Sequence, residues 1–329
     1  MFGLVLTQDG RFECIGLPEA RLWAHNAAMT TRLIALLGAG TLASWLFAAA
    51  PQSPPASQPA SQPAAASLKL PADDTGAEAA LKASPRHGEW VDINIPAAED
   101  MPAFKLHTWV VYPERKDKAP VVLVIHEIFG MTDWVRSVAD QLAAEGFIAI
   151  VPDLLSGRGP DGGGTASFKG DDVRNAIREL TEDEVNPLLD AAREYGLALP
   201  SASAKSATVG FCWGGSRSFD YAVHQPKLNG AVVYYGSGPQ FKEMLQPIQC
   251  PVLGFYGMDD ARVTTTVEPT ARAMTAAKKQ YTHLHYDGAG HGFLRQRSGS
   301  GSETRDYANL KAAQQAWAAT IEFLNKNLQ

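Results

Sequence analysis

From about residue 88 to the end, the chain alternates short apolar runs rich in β-branched residues with longer stretches of helical periodicity. The run Val121–His126 and those at Ile148–Val151, Ala207–Phe211, Gly230–Tyr235 and Val252–Tyr256 are almost free of polar residues. A strand without alternation has no face to give to water, so both sides must be covered, as in a parallel sheet flanked by helices. Glu89–Ile95, Leu106–Tyr112 and His283–Tyr286 complete a set of eight strand candidates, with helical stretches such as Trp134–Glu145, Asp183–Tyr195, Ser216–His224, Val267–Lys279 and Asn309–Leu328 between and after them. This rhythm predicts one α/β domain over residues 88–329, with a mostly parallel eight-stranded sheet and helices on both faces. In such sheets the ligand crevice lies beyond the carboxyl ends of the strands. The residues that directly follow a strand are therefore the ones to inspect.

The sharpest of these is Gly210-Phe-Cys-Trp-Gly-Gly215, between the run Ala207–Phe211 and a helix. It has the form Gly-x-Nu-x-Gly of a nucleophile elbow, with Cys212 where serine is more usual. Glycines at 210 and 214 permit a sharp turn, the thiol projects from it, and helix N-terminal amides favour the thiolate. After the strand ending at Tyr256 come Asp259 and Asp260, and spacing to Val263 favours Asp260 as the carboxylate that orients a base. His291 stands between glycines on a loop after the last strand. The order Cys212, Asp260, His291 is that of hydrolases built on such sheets. Glu127 follows Val121–Ile125 at a strand tip, where a charge facing a crevice is unusual unless it acts on a partner.

Taken together, His126-Glu-Ile-Phe-Gly130, Gly210-Phe-Cys-Trp-Gly-Gly215, Tyr234-Tyr-Gly236 and Gly290-His-Gly-Phe293 resemble the dienelactone hydrolase family. The resemblance implies an α/β-hydrolase fold and hydrolysis of ester or lactone bonds in a small molecule. It implies Cys212 as nucleophile, Asp260 as acid, His291 as base, and Glu127 as a carboxylate that contacts the resting cysteine and helps activate it. It further implies an oxyanion hole from the Ile128 and Trp213 amides, and Arg295 as a holder of the substrate carboxylate. A second family arginine has no anchored equivalent, with Lys169 and Arg174 as possibilities. A general carboxylesterase or thioesterase is a rival reading. So is a non-catalytic binding or redox-sensing protein, because an exposed low-pKa thiol oxidises readily.

No metal-ligand cluster, phosphate loop or dinucleotide fingerprint is visible, so no metal or cofactor is expected. The net charge of −6 speaks against nucleic acid as the main partner. Three cysteines, Cys14, Cys212 and Cys250, are too few for a disulfide scaffold. Residues 33–50 carry no charge, follow Arg32 and end in alanines, which predicts a signal peptide or a retained membrane tether. Met29 is then an alternative start, and the protein is expected to be exported, periplasmic or tethered facing the periplasm. Residues 51–87 are read as a linker, on the Pro/Ala/Ser/Gln repeat of 51–67. Nothing demands more than a monomer.

Overall fold

The computed structural model describes residues 2–6, 12–16, 68–97 and 102–329. The apolar run 33–50, Met29 and the repeat 51–67 lie outside the described residues. Strands β1 (Phe2–Leu6) and β2 (Phe12–Gly16) pair antiparallel as a unit of their own.

The main unit opens with helix α1 (Ala77–Ala83), followed by β3 (Gly88–Ile95), β4 (Phe104–Val111), β5 (Ala119–Ile125), α2 (Asp133–Ala144) and β6 (Ile148–Pro152). Next come α3 (Asp172–Glu179), α4 (Glu182–Ala198), β7 (Ala202–Phe211), α5 (Trp213–His224) and β8 (Gly230–Tyr234). The short helix α6 (Lys242–Leu245) leads to β9 (Val252–Gly257), α7 (Ala261–Ala276), β10 (Tyr281–Tyr286) and α8 (Glu303–Leu328). The eight strands of this unit form one sheet in the order β10-β9-β8-β7-β5-β6-β4-β3. Pairing is parallel from β10 through to β6, and antiparallel where β4 meets β6 and β3.

The apolar runs are unbroken for the reason their composition suggests. Along β5, Val122 and Val124 enter a core shared with α2 and α8, while Val121, Leu123 and Ile125 enter a second core shared with α4 and α5. All five are fully buried. By contrast β3 and β10, at the two edges, alternate half-buried with exposed residues. This mostly parallel sheet with helices on both faces is the α/β-hydrolase fold.

Residues 70–87 differ from their reading as linker. Leu70 packs against the α2 core and Ala77 is buried in it. Asp73 accepts from the amide of Gly76, the residue before α1, at 3.1 Å. Helix α3 also went unread, since Arg, Asn and Glu dominate it and only Ile177 is fully buried.

Candidate active site

Cys212 sits at the tip of β7 with φ +56° and ψ −117°. Such a backbone is rare for a residue with a side chain and persists only where its surroundings hold it. Here the Cys212 amide donates to Tyr234 O at 3.0 Å, and Cys212 O accepts from the Gly215 and Ser216 amides. Glycine is required on either side. A Cβ at Gly210 would lie 1.9 Å from Gly214 O, and one at Gly214 would lie 2.3 Å from His126 O. The turn is thus wedged between β5 and β8.

The tips of three other strands converge on the thiol. Asp260 follows β9 and is nearly buried. Its Oδ2 accepts from His291 Nδ1 at 2.5 Å. With Nδ1 committed there, Nε2 is the nitrogen left for another partner, and the neighbouring Cys212 acts on the imidazole's protonation. Burial pulls the imidazole's proton affinity down, but Asp260 and Cys212 together outweigh it and raise the pKa to about 9. Asp259 instead pairs with Arg305 at 2.7 Å on the surface.

Ile128, Cys212, Trp213, Tyr235 and His291 line one cavity of about 480 Å³. Trp213 is the first residue of α5, so its amide has no partner within the helix. The Ile128 amide donates to no backbone acceptor among the described residues. Both are therefore free to meet an oxygen of a bound molecule.

Glu127 is buried behind this wall, with its Oε2 2.7 Å from Arg295 Nε. That N–H is not aimed at an acceptor, so the contact is ionic rather than a formed hydrogen bond. Burial pushes the Glu127 carboxyl up, and the charges of Arg295 and His291 pull it only part of the way back. Arg295 does not line the cavity. Its guanidinium lies over the Phe129 ring at 4.8 Å, and Nη1 donates to Asp74 at 2.8 Å. The arginines that do line the cavity are Arg178, from α3, and Arg262, from α7. Lys169 and Arg174 do not line it, and Arg174 stacks on Phe129.

The sequence alone assigns no role to several further groups. His126 is buried, and burial lowers its proton affinity. Because Nε2 accepts from the Leu154 amide, Nδ1 carries the proton and donates to Glu127 O at 2.9 Å. Thr165 accepts from the Met131 amide and donates to buried Asp153, which holds the other end of the same loop. Tyr235 packs its ring edge-on to His291 at 5.0 Å. Its hydroxyl is buried without a hydrogen-bond partner among the described residues. Cys250 is a buried core residue, and burial pushes its thiol up to about 12.

Residues 106–328 match the model of the Dienelactone hydrolase family. The chain belongs to that family. A Yersinia pestis protein provisionally named carboxymethylenebutenolidase is 28% identical over 247 residues, 72% of this chain and 88% of its own. A namesake from Saccharolobus solfataricus is 28% identical over 260 residues, covering 69% and 96%. Among solved structures, a provisionally assigned dienelactone hydrolase from Klebsiella pneumoniae has a TM-score of 0.60 at 25% identity, covering 73% of this chain and 99% of that one. The matched dienelactone hydrolase segment contains every residue named above at the Cys212 cavity, and it excludes Asp74.

Proposed function

We propose that this member of the dienelactone hydrolase family cleaves ester or lactone bonds of small molecules through Cys212, His291 and Asp260. The observation that carries the reading is the hydrogen bond between Asp260 and His291 at the wall of an open cavity that His291 and Cys212 both line. An imidazole with a pKa raised to about 9 is charged at neutral pH and stabilises a thiolate beside it. That thiolate attacks the acyl carbon while the Ile128 and Trp213 amides receive the oxyanion, each donor being worth roughly 3–4 kcal/mol. The leaving group takes the proton of His291. Water then attacks the thioester, giving its proton to the neutral imidazole, and Asp260 holds the useful tautomer throughout. Thiolates expel enolates and thiolates more easily than alkoxides or amines, which favours activated esters, lactones and thioesters.

Arg178 and Arg262 on the cavity wall suit a substrate with an anionic group away from the scissile bond. The role of Glu127 is electrostatic, a buried carboxylate facing the imidazolium. We also propose export of the chain on the strength of the uncharged run 33–50; recovery of full-length protein from the cytoplasmic fraction alone would refute this.

The decisive assay is hydrolysis of short p-nitrophenyl esters and of a dienelactone by wild type and Cys212→Ala. Activity confined to wild type supports the reading. If both proteins are equally inert, or equally active, the cysteine mechanism fails.

A further inference from the structure

A segment N-terminal to the family-matched residues, ahead of α1 and β3, is fastened to the loop that carries His291. The Asp74 amide donates to Arg295 O at 3.1 Å, and Arg295 Nη1 donates to Asp74 Oδ2 at 2.8 Å. Arg297 Nη2 donates to Pro71 O at 2.7 Å, and Ser298 Oγ donates to Asp73 Oδ2 at 3.3 Å. Arg295 thus lies between two carboxylates, Asp74 and Glu127, which are far apart in sequence. Both contacts are sheltered from solvent at the arginine, whose side chain is 14% exposed.

The charges can be counted. Asp74, Arg295 and Glu127, when ionised, carry a net charge of −1. Without Asp74 the remaining pair is neutral, and Arg295 can give its whole charge to Glu127. The groups facing Glu127 are Arg295, His291, Asp74 and the uncharged Tyr235. Asp74 itself is flanked by Arg297 and Asp73, which face each other. Asp73 anchors the same segment through Thr75, Gly76 and Ser298 without touching Arg295.

We propose that Asp74 is a positioning residue of the active site: by sharing the Arg295 charge with Glu127, it leaves one uncompensated negative charge beside the His291–Cys212 pair. The inference rests on the reading of Cys212 and His291 as the reacting pair. A nearby negative charge favours the protonated form of every neighbour. Its removal therefore shifts the titrations of Glu127, His291 and Cys212 in one direction, toward lower pH. A segment that served only to brace the loop would change stability and leave these titrations where they are.

The test uses the full-length chain with Asp74→Asn, Asp74→Glu and Asp73→Asn. Two readouts are followed against pH: p-nitrophenyl acetate hydrolysis, and iodoacetamide alkylation of Cys212 located by peptide mass spectrometry. In Asp74→Asn both profiles should move to lower pH by about half a unit, the scale of a partly screened charge at this remove. Asp74→Glu should return them to the wild-type position, and Asp73→Asn should leave them unmoved. Should the asparagine variant not fold, Asp74→Ser removes the same charge with a smaller side chain. Unmoved profiles in the charge-removing variant, or equal movement in Asp73→Asn, would overturn the proposal. If no variant, wild type included, hydrolyses ester while the alkylation profile still shifts, the hydrolytic reading falls and the charge relation stands.

Discussion

His291 Nδ1 lies 2.5 Å from Asp260 Oδ2, which commits that nitrogen to the carboxylate and leaves the other for the cavity that Cys212 also lines. Asp260→Asn keeps the shape but can present the wrong hydrogen-bonding pattern to the ring. The expected result is a fall in kcat on the order of 10³–10⁴, as when the orienting carboxylate of a comparable triad is neutralised. Circular dichroism should be unchanged, and kinetics on p-nitrophenyl acetate reads the loss.

The same contact makes stability depend on pH. The His291 pKa is raised from 6.5 to about 9 by Asp260 and Cys212 against the opposing effect of burial. A group whose folded pKa lies above its unfolded one contributes stability that is fully present below about 6.5 and lost as pH rises through about 9. Wild-type Tm should therefore fall across this window more steeply than the Tm of His291→Gln. Parallel slopes in differential scanning fluorimetry would show that the imidazole gains no proton on folding.

Gly210 has no space for a side chain, since its Cβ would overlap Gly214 O at 1.9 Å. Gly210→Ala must push the first turn of α5 away from β7. The expected cost is about 3 kcal/mol or more, at the upper end of overpacking, together with loss of activity. Urea unfolding with an unchanged m-value is the check.

Arg262 lines the Cys212 cavity and has no carboxylate partner among the described residues, whereas Arg178 donates only to Asn175 in those residues. Arg262→Ala should raise KM roughly tenfold for esters that carry a carboxylate, the worth of one charge-assisted hydrogen bond. Neutral esters of equal size should be turned over as before. Equal losses on both series would mean that the arginine shapes the cavity rather than reading charge.

Much of this was legible in the chain. The eight strands of the main sheet, the elbow at Cys212 and the order of Cys212, Asp260 and His291 follow from periodicity and from glycines with a geometric duty. What stayed hidden depends on contacts between distant segments. Asp74 reads as one more acidic residue after a polar repeat, and only its meeting with Arg295 gives it meaning. Arg178 and Arg262 stand on amphipathic helices among several similar charges, so nothing local marks them as cavity residues. His126 reads as a strand-end histidine, and its two opposed hydrogen bonds appear only when Leu154 is brought beside it.

The wedged turn at Cys212 has a chemical consequence. Its angles are imposed by Tyr234, by the α5 amides and by glycines that tolerate no added atom, none of which senses sulfur. Identity and location are therefore separable at this position. Cys212→Ser should put an oxygen in nearly the same spot, and comparison of the two proteins would isolate what an easily ionised, polarisable nucleophile contributes in an otherwise unchanged mount.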